Sequence, residues 1–180
     1  MAFATVLSAL DSETVMTYFD DLSDYGYHSH FDRAETKNVG WLACGHKFEK
    51  EVPSLALLDS LWEFCTISVA QMRGIHECDL CAPPEWIIAE RNGHRLSLGS
   101  AEIRVFSSPR GVIYAAPNLI YHYVCAHHYK PPDEFVQALM AGPSPPSPAY
   151  FEKLRTLNLE WTNTFGGPTD GKRRFHLRSP

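Results

Sequence analysis

Asn92-Gly93 is the strongest local constraint on what this chain can fold into. A tight two-residue hairpin needs left-handed backbone at its corner. Asparagine tolerates that conformation, and glycine has no Cβ to clash. Apolar runs flank the pair, Trp86-Ile-Ile-Ala89 before it and Leu96 and Leu98 after it. Further on, Ala101, Ile103 and Val105 alternate with Glu102, Arg104 and Phe106. Pro109-Arg110-Gly111 reads as a turn and Val112–Ala116 as another strand. This spacing predicts an antiparallel β-meander of about three or four strands.

Helical patterns surround that meander. Pro53 suits a first helical turn, and Leu57, Leu58, Leu61, Trp62, Phe64 and Cys65 recur at helical spacing over 53–65. Pro117 breaks the β pattern, and Leu119, Ile120, Tyr123 and Val124 then share one apolar face. Pro131-Pro132 stops that helix and opens the next, with Phe135, Val136, Leu139 and Met140 on its apolar side. Asn38–Ala43 alternates as a strand, and Ile67 and Val69 suggest a short one. The sequence therefore predicts an α+β fold, an antiparallel meander with packed helices in a single domain.

The boundaries are expected as follows. Residues 1–15 are an N-terminal extension, expected to be disordered, and Met16 is a candidate true start. The α+β domain runs over 16–140. Residues 141–148 hold four prolines in eight positions and read as a semi-rigid linker. A C-terminal helix follows over 149–162, then a basic disordered tail over 163–180.

Charge narrows the partners. The net charge is −5, and residues 11–35 hold seven acids against Arg33 alone. A nucleic-acid-binding domain needs a basic face to replace phosphate counterions, so a protein partner is the better expectation. No apolar run approaches the roughly 20 residues that span a bilayer. The apolar start has no positive flank and meets Asp11 and Glu13 at once. The five cysteines are odd in number and lack the spacing of a disulfide framework, so the expected compartment is the reducing cytoplasm.

The sharpest chemical signal is His76-Glu-Cys78-Asp-Leu-Cys81. Two cysteines separated by two residues can place both sulfurs on one ion, because the turn between them aims its amides at the sulfurs. A tetrahedral zinc site needs further ligands, and Tyr121-His122-Tyr-Val-Cys125-Ala-His127-His128 is where they would come from. His122 with Cys125, or Cys125 with His128, could share a helix face. His122 and His127 would diverge on a continuous helix and could converge only if the helix loosens before Pro131. Cys65 and Cys125 read as core residues, and Cys44 as structural.

Other motifs are absent or fail. No phosphate-binding Gly-rich loop, G-x-S-x-G elbow or H-E-x-x-H occurs. A zinc deaminase carries H-x-E and later P-C-x-x-C. Here His46 and Glu49 are one residue too far apart, and Glu77 stands where the proline should be. A redox dithiol of thioredoxin type would open a helix, which Ala82-Pro83-Pro84 opposes.

Several segments in order resemble a family of small bacterial domains of unknown function. They are Asp21-Leu-Ser-Asp-Tyr-Gly-Tyr27, Asn38-Val-Gly-Trp-Leu42, Gly74-Ile-His-Glu-Cys-Asp-Leu-Cys81, Ala101-Glu-Ile-Arg-Val105, Tyr114-Ala-Ala-Pro-Asn-Leu-Ile-Tyr-His-Tyr-Val124 and Pro131-Pro-Asp-Glu-Phe135. The resemblance covers about residues 16–140 and supplies no activity. It implies that the His-x-Cys-x-x-Cys segment and the positions of His122 and His127 are features of the family itself. The expectation is a zinc site in which Cys78 and Cys81 are ligands and two of His76, His122 and His127 complete the set. The expected function is a binding or interaction module, such as an immunity-like or adaptor protein. A zinc-dependent hydrolase or deaminase and a metal-free domain with packed cysteines are the alternatives.

Overall fold

The computed structural model describes residues 17–26, 35–108 and 111–165. The expected N-terminal extension, the candidate start at Met16 and the tail beyond Phe165 lie outside the described residues. In chain order the elements are β1 (Thr36–Asn38), α1 (Leu55–Cys65), β2 (Ile67–Val69), β3 (Ile88–Arg91), β4 (His94–Ser97), β5 (Glu102–Phe106), β6 (Ile113–Pro117), α2 (Ile120–His127), α3 (Asp133–Ala141), α4 (Pro148–Thr156) and β7 (Trp161–Asn163). The fold is α+β.

Asn92 and Gly93 take positive φ, 52° and 74°, and close the β3–β4 hairpin with Arg91 opposite His94. The hairpin stands alone as a two-stranded sheet, which corrects the expectation of one continuous meander. The break lies at Gly99, where φ is +97° and an added Cβ would come within 2.2 Å of the His76 carbonyl oxygen. The chain turns there against the 74–76 segment, so β4 never runs beside β5.

The main sheet has the order β1-β6-β5-β2-β7. Its centre is the antiparallel pair β5–β6, with Glu102 opposite Pro117 and Phe106 opposite Ile113. β2 pairs antiparallel with both β5 and β7. β1 runs parallel to β6, a second departure from an all-antiparallel sheet. The strand expected over Asn38–Ala43 ends at Asn38, because Gly40 takes φ +70° and donates its N–H to Asp21 Oδ1 at 2.8 Å.

α1 starts where Ser54 Oγ accepts the Leu57 N–H at 3.2 Å, and it buries Leu58, Leu61, Trp62, Phe64 and Cys65. α1 packs on α2, α3 and β5. Ile103 and Val105 join this apolar core. The alternate residues of β5 face the other way. Glu102 and Arg104 form a buried ion pair there, and Tyr25 closes over it. The Tyr25 hydroxyl donates to Glu102 Oε1 at 3.0 Å and accepts from Arg104 Nη2 at 3.2 Å. Two buried charges are tolerated because each meets the other and a hydroxyl.

The chain after residue 141 belongs to the same core. Gly142 sits where a Cβ would come within 2.3 Å of the Phe106 carbonyl oxygen. Ser147 caps α4, which buries Tyr150, Phe151 and Leu154, and the Tyr150 ring meets Phe64 and Phe106 edge-on. The single helix expected over 149–162 is shorter. α4 ends at Thr156, and Trp161 opens β7 opposite Val69.

Candidate metal centre

Two pieces of chain far apart in sequence build the site. The first is the turn after Gly74. Cys78 exchanges backbone hydrogen bonds with Glu85, donating at 2.7 Å and accepting at 3.3 Å. That pins both ends of the 78–85 loop. Inside it the chain turns back, with the Cys81 N–H on the Cys78 carbonyl at 3.3 Å. The amides of Leu80 and Cys81 point at the Cys78 sulfur. This is the arrangement that suits a thiolate, since N–H donors favour the charged sulfur.

The second piece is the end of α2. Pro117 ends β6, and the helix then runs from Ile120 to His127. His128 takes φ 57° and stops it, its N–H returning to the Tyr123 carbonyl. The following residues are strapped to the 49–51 segment: Glu51 N–H donates to the His128 carbonyl at 2.8 Å, and Lys130 N–H to that of Glu49 at 2.9 Å. The strap fixes the turn that presents His127.

The four side chains then converge. His127 Nε2 lies 3.3 Å from Cys78 Sγ and 3.5 Å from Cys81 Sγ. His122 Nε2 lies 3.4 Å from Cys81 Sγ and 3.1 Å from His127 Nε2. All four ligand atoms fall within 4.8 Å of one another. A tetrahedral zinc ion with ordinary bond lengths would set its ligand atoms about 3.3–3.8 Å apart. The four separations of 3.1–3.5 Å are close to the edges of such a tetrahedron, and the group could hold a metal ion.

Burial shapes the electrostatics. Cys78 is wholly buried, and desolvation pushes its thiol up to about 12. Burial, then the charge of His127, pulls His122 down to about 4. Burial first, then Lys50, also lowers His127. Without an ion the pocket therefore favours neutral imidazoles with free lone pairs. Burial raises the Tyr123 hydroxyl, with smaller electrostatic contributions from Cys78, Asp79 and Cys81.

His76 is not brought into the group. Its N–H is held by the Gly99 carbonyl at 2.8 Å, and it lines a small apolar cavity with Trp41, Met72, Leu119 and Tyr123. His122 and His127, which would diverge on a continuous helix, meet where α2 ends. His127 sits in the last helical turn, with no turn above it to restrict the ring. Cys125 is exposed rather than core. Cys65 is buried, as expected, with Sγ 3.5 Å from the Asn118 carbonyl.

Sequence reasoning passed over Asp79, which lies between the two cysteines. Its Oδ2 accepts the Cys44 N–H at 2.9 Å, so it ties the loop to the chain after Ala43. Its Oδ1 is buried with no hydrogen-bond partner among the described residues. An acid inside the C-x-x-C was the available signal.

No described helix is long and apolar enough to cross a membrane. A family model described as "Domain of unknown function (DUF7919)" matches residues 17–140, a span that contains all four clustered residues. No curated protein and no solved structure matches the chain.

Proposed function

The chain belongs to that family of unknown function, and from this premise we propose that Cys78, Cys81, His122 and His127 hold one structural zinc ion in a protein-binding module. The observation that carries the proposal is the convergence of two sulfurs and two imidazole nitrogens within 4.8 Å. A mixed S₂N₂ set with near-tetrahedral spacing suits zinc, which has no geometric preference of its own. A two-iron cluster would hold its histidine and cysteine pairs on different irons and spread them further apart.

Four protein ligands close the coordination shell. A hydrolase or deaminase needs an open position for water, so the closed set favours a structural role. The ion would fasten a loop with little regular structure to the end of α2, and its binding energy would become folding energy.

The module character rests on the neighbouring surface. Trp86 and Ile88 are 53% and 49% exposed on the hairpin segment that follows the cysteine loop. Exposed large apolar groups beside a rigid centre offer a footing for a protein partner. The net charge of −5 disfavours nucleic acid. All five cysteines are free, which fits a reducing cytoplasm.

Metal analysis of protein purified under reducing, chelator-free conditions tests the centre. One zinc per chain is expected, with loss of the metal in the Cys78→Ser and Cys81→Ser variants. Stoichiometric absence of zinc from the parent protein would sink the proposal.

A further inference from the structure

We propose that the centre is an oxidation-sensitive switch, in which hydrogen peroxide or a similar two-electron oxidant joins Cys78 to Cys81 and expels the zinc. The inference rests on the zinc proposal above and adds a mode of regulation to the same residues.

Geometry makes the two thiolates unequal. Cys81 is half-buried, whereas Cys78 is fully buried. Both sulfurs belong to one short turn and lie within 4.8 Å of each other. Cys78 is also fixed in place by its backbone pairing with Glu85. An oxidant therefore meets Cys81 first, and Cys78 is held where a resolving thiol must be. Zinc keeps both sulfurs as thiolates, the reactive form.

The chemistry closes without any further reagent. The Cys81 thiolate attacks one peroxide oxygen, forming an S–O bond and breaking the O–O bond; the hydroxide released takes up a proton to give water. The Cys78 thiolate then attacks the Cys81 sulfur, forming the S–S bond and expelling the second oxygen as hydroxide, which is also protonated. Two electrons pass from the sulfurs to the peroxide. Zinc leaves as Zn²⁺ with its oxidation state unchanged, and the two histidines remain as neutral bases.

The other thiols lack this arrangement. Cys65 is buried in the core, and Cys44 and Cys125 are exposed and stand outside the four-residue cluster. Once zinc has gone, the cysteine loop keeps the Cys78–Glu85 pairing and the Asp79–Cys44 contact but loses the ion that fastened it to α2.

The test uses the full chain as purified. Zinc content is measured first, then peroxide is added stepwise while a chromophoric chelator reports released zinc and thiols are counted. The expected result is one zinc released per chain as two of the five thiols disappear. The peptide carrying Cys78 and Cys81 should lose the mass of two hydrogens, and dithiothreitol with added zinc should restore the metal. A Cys44→Ser, Cys125→Ser double variant should release zinc at a rate within about twofold of the parent. Loaded protein that keeps its zinc while Cys44 and Cys125 are consumed overturns the switch alone. So does zinc loss with Cys81 driven to sulfinic acid and no Cys78–Cys81 disulfide. Protein that carries no zinc before peroxide is added overturns the zinc proposal, and the switch falls with it.

Discussion

The Nε2 atoms of His122 and His127 lie 3.1 Å apart although the residues are five positions apart on one helix. Two neutral imidazoles meeting through the same nitrogen can share one proton at best. A cation between them uses both lone pairs. Replacing either histidine with alanine should therefore weaken zinc binding by roughly a hundredfold or more, beyond the loss seen for outer partners of metal ligands. His76→Ala should leave affinity unchanged, since its ring is outside the cluster. Competition against a chelator of known affinity measures both.

The protonation states set a direction with pH. Cys78 carries its proton up to about 12 in the metal-free protein, whereas His122 stays neutral down to about 4. At neutral pH zinc must displace a thiol proton but none from His122. Affinity should rise with pH, at least about tenfold per unit between pH 5 and 8. Calorimetry in buffers of different ionisation enthalpy should register at least one proton released per zinc. A release of zero would contradict the site.

Removing the metal should soften the fold. At a free zinc level of about 1,000 times Kd, binding contributes about 4 kcal/mol. For a chain of this size that corresponds to a fall of roughly 10 °C in Tm on chelation. Thermal unfolding with and without chelator, under reducing conditions, gives the shift. In the Cys78→Ser variant the chelator should have no effect.

The Glu102–Arg104 pair makes a prediction independent of metal. Glu102→Leu alone leaves a buried guanidinium facing Tyr25 and should cost about 3–5 kcal/mol. Glu102→Leu with Arg104→Met removes both charges and should recover most of that loss. Denaturant unfolding of Glu102→Leu, Arg104→Met and the double variant separates pairing from burial.

Two glycines should respond differently to alanine. Gly93 has φ +74° but open space around it, so Gly93→Ala should cost about 1–2 kcal/mol of backbone strain. Gly99 adds a collision with the His76 carbonyl to its positive φ, and its alanine variant should be several-fold worse. Equal costs would mean that the His76 contact gives way easily.

Much of this was legible in the sequence because it is local. Asn92-Gly93 specified its hairpin through backbone freedom, and Cys78-x-x-Cys81 specified a turn that gathers two sulfurs. The parallel pairing of β1 with β6 depends on chain brought from far away, which periodicity does not encode. The split of the meander has the same origin, since Gly99 turns against a residue 23 positions earlier. Which two of the three candidate histidines meet was not legible, because helical spacing describes a helix interior and His127 is the last residue of α2. Cys125 lies beside an apolar stripe yet is exposed, because residue type alone does not say which side of a helix meets the core.

β7 carries a consequence for the unit of folding. The family match stops at residue 140, but β2 finds its second neighbour at Trp161–Asn163. A chain cut at 140 would leave β2 with an open hydrogen-bonding edge, and the rings of Phe64 and Phe106 would lose the cover of Tyr150. Such a fragment invites strand addition by another molecule. The stretch of sequence that defines the family is thus smaller than the piece of chain that closes its own sheet.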